Sequence, residues 1–166
     1  MAMVNRTQLI YWDSCVVLAY MNAEQERLPT IEAIIQNVAK SNGQTKLVTS
    51  MIAKVEIAYI ALEKDKRTLD PAIEKRFDDF WHDDSIIELV ELHDEIARLA
   101  RSLMRQTIAS RRRTLKPFDA IHLATAKSIG AKEFQTYNIK DFEQLSTSTG
   151  LTVCEPHIDQ LILPFS

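Results

Sequence analysis

The sequence has little glycine and no long apolar run, and both absences narrow the possible classes of protein. Three glycines among 166 residues exclude collagen-like and linker-rich architectures and argue against a glycine-rich phosphate loop. No apolar stretch approaches the roughly 18 residues that a membrane-spanning helix needs. The N-terminal segment also lacks the basic stretch and apolar core of a secretory signal. The sequence therefore predicts a cytoplasmic protein that does not bind a membrane.

Cysteine is scarce as well. The two cysteines, Cys15 and Cys154, are far apart along the chain and lack the spacing of metal-binding pairs. We predict two buried thiols in a reducing compartment. The composition, 46% apolar and 26% charged, is otherwise that of an ordinary globular protein. Because 166 residues suffice for one hydrophobic core, we predict a single domain over residues 1–166.

The net charge of −3 gives no overall signature of nucleic-acid binding, but the charge is unevenly distributed. Seven basic residues and no acidic residue lie between positions 98 and 117: Arg98, Arg101, Arg105, Arg111, Arg112, Arg113 and Lys116. Exposed charges act over roughly 8–10 Å, so such a patch attracts phosphate even on an acidic protein. The first three recur at helical spacing and are typical of a solvated helix face. The last four directly precede a predicted helix and are better candidates for phosphate contact.

Short β-rich runs alternate with helical stretches along the whole chain. Strands are predicted at 8–12, 46–49, 86–92, 133–137 and 151–154. Helices are predicted at 14–21, 29–40, 51–64 and 93–110, with two more beginning at Pro71 and Pro117. Ser50 is the expected N-cap of the 51–64 helix. This alternation predicts an α/β fold with a parallel sheet covered by helices.

Several acids fall near the ends of the predicted strands. Asp13 follows the first strand, Asp119 lies in the first turn of the last long helix, and Glu56 lies in the helix after the second strand. Asn138 and Asp141 follow the fourth strand. Ligands of open α/β sheets bind at the carboxyl ends of the strands, so we expect these residues to converge there.

A cluster of carboxylates needs a cation. Two unit charges 4 Å apart repel by about 4 kcal/mol at an effective dielectric constant of 20. Hard oxygen ligands suit Mg²⁺ or Mn²⁺, which activate water for phosphodiester hydrolysis. Each acid alone also has an ordinary structural explanation. Asp13 resembles a loop or N-cap residue, Glu56 a solvated helix residue, and Asp119 an acid that complements the helix dipole.

Four segments spread over residues 11–142 carry these acids: YWDSCVVLAY, TSMIAKVEIAY, LKPFDAIHLATAKSIGAKEFQTYN and NIKDF. They resemble the PIN-domain nucleases, and in particular the VapC-type toxins of prokaryotic type II toxin–antitoxin pairs. The third segment is the most specific, because a DAIHLATA helix followed by glycine, a strand and Thr-Tyr-Asn rarely arises by chance.

The resemblance implies a three-layer α/β/α fold and Mg²⁺- or Mn²⁺-dependent cleavage of RNA. It implies that Asp13, Glu56 and Asp119 are acidic metal ligands. Many relatives have Asp where Asn138 stands, so either Asn138 or Asp141 completes the predicted site. The resemblance also implies a small antitoxin that covers the acids, and a homodimer built on helices of the N-terminal half.

Neighbouring residues are predicted to support the site. The hydroxyls of Ser14 and Thr136 stand next to acids, where they can orient carboxylates or bind phosphate. His122, one turn after Asp119, is interpreted as a packed and hydrogen-bonded core residue. The predicted contacts to RNA phosphates are Arg111, Arg112, Arg113 and Lys116.

Two other functions share parts of this pattern. A non-catalytic PIN module that binds RNA or a protein is suggested by Asn138, which lowers the negative charge of the site. A phosphatase or response-regulator-like protein also begins with an Asp after its first strand. That reading fits less well, because it needs a second Asp where Cys15 stands and gives Glu56 no role.

Overall fold

The computed structural model describes residues 7–158, which contain a five-stranded, all-parallel sheet. The strands are β1 (Gln8–Trp12), β2 (Thr45–Ser50), β3 (Glu88–Val90), β4 (Glu133–Gln135) and β5 (Thr152–Cys154). Their spatial order is β3-β2-β1-β4-β5, with β1 at the centre. Strands β2 and β3 lie on one side of β1, and β4 and β5 lie on the other. This change of side places a crevice at the carboxyl ends of the central strands.

Helices cover both faces of the sheet. In chain order they are α1 (Ser14–Met21), α2 (Leu28–Lys40), α3 (Ala53–Glu56), α4 (Ala61–Lys66), α5 (Pro71–His82), α6 (Asp94–Ala109), α7 (Pro117–Ser128), α8 (Ile139–Phe142) and α9 (Ser146–Thr149). A 3₁₀ turn (Glu143–Leu145) lies between the last two. Within residues 7–158, none of the helices has both the length and the apolar character to pass through a bilayer.

Two hydrophobic clusters lie on opposite sides of the sheet. Trp12 packs among residues of α1, α2 and α5, whereas its neighbour Tyr11 packs among residues of α6 and α7. Adjacent residues of a strand point to opposite faces, so the central strand contributes to both clusters. The prediction of a three-layer α/β/α fold with a parallel sheet is confirmed.

The predicted continuous helix over 51–64 is wrong. The segment forms the separate helices α3 and α4, because the backbone leaves helical geometry at Ile57 and becomes extended at Ile60. Both isoleucines are buried, and the break turns them toward the core. Ser50 does not cap a helix. It ends β2, and its hydroxyl accepts only a 3.4 Å hydrogen bond from the backbone N–H of Ile52.

Contacts distant in sequence stabilise the start of α4. The side-chain oxygen of Asn22 accepts a hydrogen bond from the N–H of Ala61 at 3.0 Å. The Glu63 carboxylate accepts from the N–H groups of Ile60 at 3.2 Å and Asp70 at 2.8 Å. Asn22 and Glu63 thus accept from N–H groups at the start of α4, and the second Glu63 bond ties this helix to the residue before α5.

Other element boundaries differ by a few residues. The strands predicted at 86–92 and 133–137 are three residues each, at Glu88–Val90 and Glu133–Gln135. Because β4 ends at Gln135, Thr136 and Tyr137 lie beyond the carboxyl end of this strand. Cys15 and Cys154 are partly exposed rather than fully buried, contrary to the prediction.

Candidate active site

Asp13 lies at the carboxyl end of the central strand and is only 3% exposed. Its carboxylate accepts hydrogen bonds from the Ser14 backbone N–H at 2.8 Å and the Thr136 hydroxyl at 2.8 Å. The Cys15 thiol donates a third at 3.1 Å. Three donors hold the carboxylate in one orientation.

Thr136 connects Asp13 to the neighbouring strands. Its hydroxyl donates to Asp13 and accepts from the N–H of Asn138 at 3.0 Å, while its own N–H donates to the Cys154 carbonyl at 2.9 Å. The hydroxyl therefore contacts the acid as its position in the sequence suggested. Ser14 differs, because its contact to Asp13 comes from the backbone.

Cys15 supports the same carboxylate as a neutral thiol. Burial, and then the negative charge of Asp13, raise the pKa of Cys15 to about 12. At neutral pH the group keeps its proton, and it can donate that proton in a hydrogen bond to Asp13. The Tyr137 N–H in turn donates to the sulfur at 3.3 Å. Cys15 is thus a hydrogen-bond donor here rather than a nucleophile.

Glu56 is the last residue of α3, and its side chain is 19% exposed. Its Oε2 lies 2.5 Å from Nε2 of the fully buried His122. The same nitrogen lies 3.9 Å from Oδ1 of Asp13. Nε2 of His122 therefore lies near the carboxylates of both Asp13 and Glu56.

The hydroxyl of Tyr11 links the end of β2 to His122. It accepts a hydrogen bond from the Ser50 N–H at 3.0 Å and lies 2.7 Å from Nδ1 of His122. Burial and the charge of Asp13 raise the pKa of Tyr11 well above its usual value, so the phenol keeps its proton. A neutral His122 that accepts this proton at Nδ1 carries its own proton on Nε2 and donates it to Glu56. This chain of hydrogen bonds fixes the position of the Glu56 carboxylate.

Asp119 lies in the first turn of α7 and is half-buried. Burial, and then the negative charge of Asp13, raise its pKa to about 6. Asp141 and Glu56 raise the pKa of this carboxyl further, whereas Lys116 lowers it. Charges act strongly only over short distances, so Asp119 is close to all three other acids. Acids separated by up to 128 positions in the sequence therefore act electrostatically on Asp119.

The raised pKa of Asp119 predicts an unusual pH dependence in the metal-free protein. Because the folded pKa of about 6 exceeds the ordinary value of 3.8, the folded chain binds this proton more tightly than the unfolded chain does. The contribution of Asp119 to the free energy of unfolding therefore falls as pH rises from about 4 to about 6. Asp119→Asn is expected to raise the melting temperature in EDTA at neutral pH, with a smaller gain near pH 4. Thermal melts across this range test it, and a variant less stable than wild type at neutral pH would contradict it.

The two candidates for the fourth ligand occupy different environments. Asp141, in α8, is partly buried and forms an ion pair with Arg113. Asn138 is exposed and precedes α8, with its backbone N–H bound to Thr136. Asp141 acts electrostatically on Asp119, which places its charge at the acidic site.

The basic residues before α7 divide into two groups. Arg112 donates to the Gln144 carbonyl, and Arg113 pairs with Asp141, so both attach their loop to the segment around α8. Arg111, at a positive φ of 53°, and Lys116 are exposed. Lys116 directly precedes α7 and lies near enough to Asp119 to lower its pKa.

Sequence reasoning missed the supporting roles of three residues. Tyr11, Cys15 and His122 all contact the acids or the group that holds them. Only the position of His122, one turn after Asp119, gave a signal in the sequence. It predicted a hydrogen-bonded core residue but not which residues it bonds to. The contact between His122 and Glu56 spans 66 positions and cannot be inferred from one sequence.

Comparisons with known proteins agree with this architecture. A PIN-domain family model matches residues 10–147. Among curated proteins, none matches the chain. The solved structure of VapBC2 from Rickettsia felis bound to a promoter DNA fragment is similar at a TM-score of 0.67 and 16% identity, and the match covers 88% of this chain and 97% of that one.

Two further solved structures are similar. VapBC from Salmonella typhimurium bound to DNA matches at a TM-score of 0.63 and 16% identity, over 89% of this chain and 96% of that one. A toxin–antitoxin complex from Klebsiella pneumoniae matches at a TM-score of 0.58 and 21% identity, over 90% and 99% of the two chains. At these identities the likeness establishes the fold.

Proposed function

This chain belongs to the PIN-domain family, and we propose that it is a divalent-metal-dependent endoribonuclease that acts as the toxin of a toxin–antitoxin pair. The observation that supports this proposal is the geometry around His122, whose Nε2 lies 2.5 Å from Glu56 and 3.9 Å from Asp13, together with the raised pKa of Asp119. Such a concentration of negative charge in a half-buried place favours a cation.

The donor set fits Mg²⁺ or Mn²⁺. The proposed ligands are the carboxylates of Asp13, Glu56 and Asp119, with Asp141 or the amide oxygen of Asn138 completing the site. Within residues 7–158, these acids are spaced more widely than the 4.8 Å of a compact ligand group. Mg²⁺ keeps several of its waters, so one or two of these carboxylates would bind it directly and the others through its waters. The ion, when bound, lowers the pKa of an attacking water and stabilises charge on the leaving oxygen.

The chain itself holds the ligands in place. Ser14, Cys15 and Thr136 fix the carboxylate of Asp13 through hydrogen bonds. His122 fixes that of Glu56 from the other side. Preorganised ligands need no rearrangement when charge develops on the phosphate, and this is the main contribution a protein makes to such a site.

The basic segment is the proposed contact to the RNA backbone. Lys116 is exposed near Asp119 and Arg111 is exposed in the same loop, while Arg112 and Arg113 hold the loop to the segment around α8. Contacts of this kind position the substrate without reading its sequence.

Lys116→Gln is expected to weaken RNA binding, because it removes one phosphate contact. The slope of log affinity against log salt concentration should fall by about 1. Binding is measured in the Asp13→Asn background, which suppresses cleavage. Lys40→Gln is a matched control, since Lys40 ends α2 at the opposite edge of the sheet. Equal salt slopes for the Lys116 and Lys40 variants would exclude Lys116 from the RNA contact.

An antitoxin partner is proposed because the similar solved structures are toxin–antitoxin complexes. Large apolar side chains are exposed near α3 and α4, with Val55 at 67% and Leu69 at 75% exposure. Together with Tyr59 and Leu62 they offer an apolar surface for the antitoxin or for the proposed homodimer. We further propose a cytoplasmic location and a single domain over the whole chain.

The direct test of this function is cleavage of structured and single-stranded RNA by the purified chain. Cleavage is expected with Mg²⁺ or Mn²⁺ and should stop in EDTA. Cleavage that continues in EDTA would remove metal dependence from the proposal. Cleavage of DNA but not RNA would correct the substrate.

A second candidate function is a PIN module that binds RNA or protein without cleaving it. Asn138 favours it, because a neutral side chain stands where many relatives carry an acid. Calorimetric titration with Mn²⁺ separates the two functions. Binding that depends on Asp13 and Asp119 supports the nuclease, and a folded chain that binds no Mn²⁺ supports the module.

A further inference from the structure

A second group of possible metal ligands lies away from the four acids. Glu133, Cys154 and His157 each direct one ligand atom to a common point, and these atoms all lie within 4.8 Å of one another. Among residues 7–158, no other three His, Cys, Asp or Glu side chains are so compact. We propose that these three residues form a metal site selective for Zn²⁺.

The distances suit a tetrahedral ion. The Cys154 sulfur lies 4.0 Å from Oε2 of Glu133, and Nε2 of His157 lies 3.9 Å from Oε1 of the same carboxylate. With metal–ligand bonds of about 2.0–2.3 Å, tetrahedral ligands stand about 3.5 Å apart. The three ligand atoms lie within 4.8 Å of one another, so shifts of about 1 Å would close this group around an ion.

The histidine presents the correct nitrogen. Nδ1 of His157 lies 3.0 Å from the carbonyl oxygen of Glu155, and a carbonyl can only accept, so Nδ1 carries a proton. In the neutral ring Nε2 then carries the lone pair, and it is Nε2 that faces Glu133. Histidines that bind metals are commonly oriented by such a bond from the second ring nitrogen.

The carboxylate of Glu133 is also held in position by a hydrogen bond. Glu133 is 6% exposed, and its Oε2 accepts a hydrogen bond from the Gln135 amide at 2.9 Å. Trp12 can only donate, and its indole N–H donates to the Gln135 oxygen at 2.8 Å, which fixes the direction of that amide. Burying a charged carboxylate costs free energy unless a cation lies next to it. A metal ion bound at this site would supply that positive charge.

The choice of ion follows from the ligands. A thiolate and an imidazole favour Zn²⁺ over Mg²⁺. The Cys154 site would therefore bind Zn²⁺, and the acidic site would bind Mg²⁺ or Mn²⁺. A cavity of about 60 Å³ borders Glu133, Gln135 and His157, with room for a water as a fourth ligand. The ion would tie the segment after β5 to β4, whose end supplies Thr136.

Cobalt substitution tests the proposal on the full-length, metal-stripped chain. Co²⁺ is titrated under reducing conditions with excess Mg²⁺. One equivalent is expected to give a thiolate-to-cobalt charge-transfer band that Zn²⁺ removes. Cys154→Ser should abolish the band, and His157→Gln, at an exposed position where folding is tolerant, should weaken Co²⁺ binding at least about tenfold.

Two controls make the result specific. Cys15→Ala and Asp13→Asn should leave the band unchanged, because both residues belong to the acidic site. The absence of a band in the folded wild type would overturn the proposal. A band that survives Cys154→Ser or disappears in Cys15→Ala would overturn it as well. The nuclease proposal is unaffected by either outcome, since the band reports only thiolate ligands.

Discussion

Asp13→Asn is expected to lower RNA cleavage at least about a hundredfold, because an acid that orients a catalytic ion supplies several kcal/mol of transition-state stabilisation. The substitution is nearly isosteric. The asparagine oxygen can still accept the hydrogen bond from the Ser14 N–H at the start of α1, so the fold should persist. Initial rates of cleavage with saturating Mn²⁺ measure the effect, and circular dichroism confirms the fold.

The matched control is Asp78→Asn. Asp78 is an exposed acid of α5. Its substitution changes the net charge by the same amount without altering the site. Its cleavage rate should stay within about twofold of wild type, since exposed substitutions rarely matter by more than about 0.5 kcal/mol. Equal rates for wild type and the Asp13 variant would mean that the activity belongs to a contaminant or to another site.

Tyr11→Phe is expected to lower the free energy of unfolding by about 2–4 kcal/mol. The ring can keep its stacking on Phe134 at 5.3 Å, but the buried N–H of Ser50 and Nδ1 of His122 both lose their partner. Each unsatisfied buried group costs about 1–3 kcal/mol. Urea unfolding in EDTA measures the loss. Cleavage should fall too, since His122 no longer holds Glu56 in one orientation.

Tyr59→Phe removes the same hydroxyl from a residue that is 48% exposed. We expect a change within about 0.5 kcal/mol. If Tyr11→Phe were equally mild, the hydrogen-bond chain from Ser50 to Glu56 would not be a stabilising unit. The positioning role assigned to His122 would then be wrong.

The general position of the site could be predicted from sequence for a physical reason. Parallel strands end at one edge, so an acid that directly follows a strand must lie at that edge, and Asp13 does. The apolar runs that define β1 and the proline that begins α7 are local signals. The placement of Asp13 and Asp119 therefore followed from short stretches of chain.

Glu56 shows where local reasoning ends. The sequence predicted a helix through this residue, but α3 stops there, because Asn22 and Glu63 stabilise a new helix start at Ala61. Asn22 is 39 positions away from Ala61, so the helix propensity of the local sequence does not reveal this contact. Tertiary contacts outweighed propensity at this point.

The fourth ligand is undecided from sequence for a similar reason. Asn138 and Asp141 are three positions apart, and either can be placed beside the acids by a small change of backbone. In the structure Asn138 precedes α8 and Asp141 lies within it, and Arg113, from a distant loop, pairs with Asp141.

Anomalous X-ray scattering from crystals grown with Mn²⁺ tests the central claim most directly, because it locates the ion without relying on activity. We predict a peak bounded by the carboxylates of Asp13, Glu56 and Asp119, and its loss in Asp13→Asn. A well-ordered crystal with those three carboxylates pointing apart and no manganese between them would contradict the account.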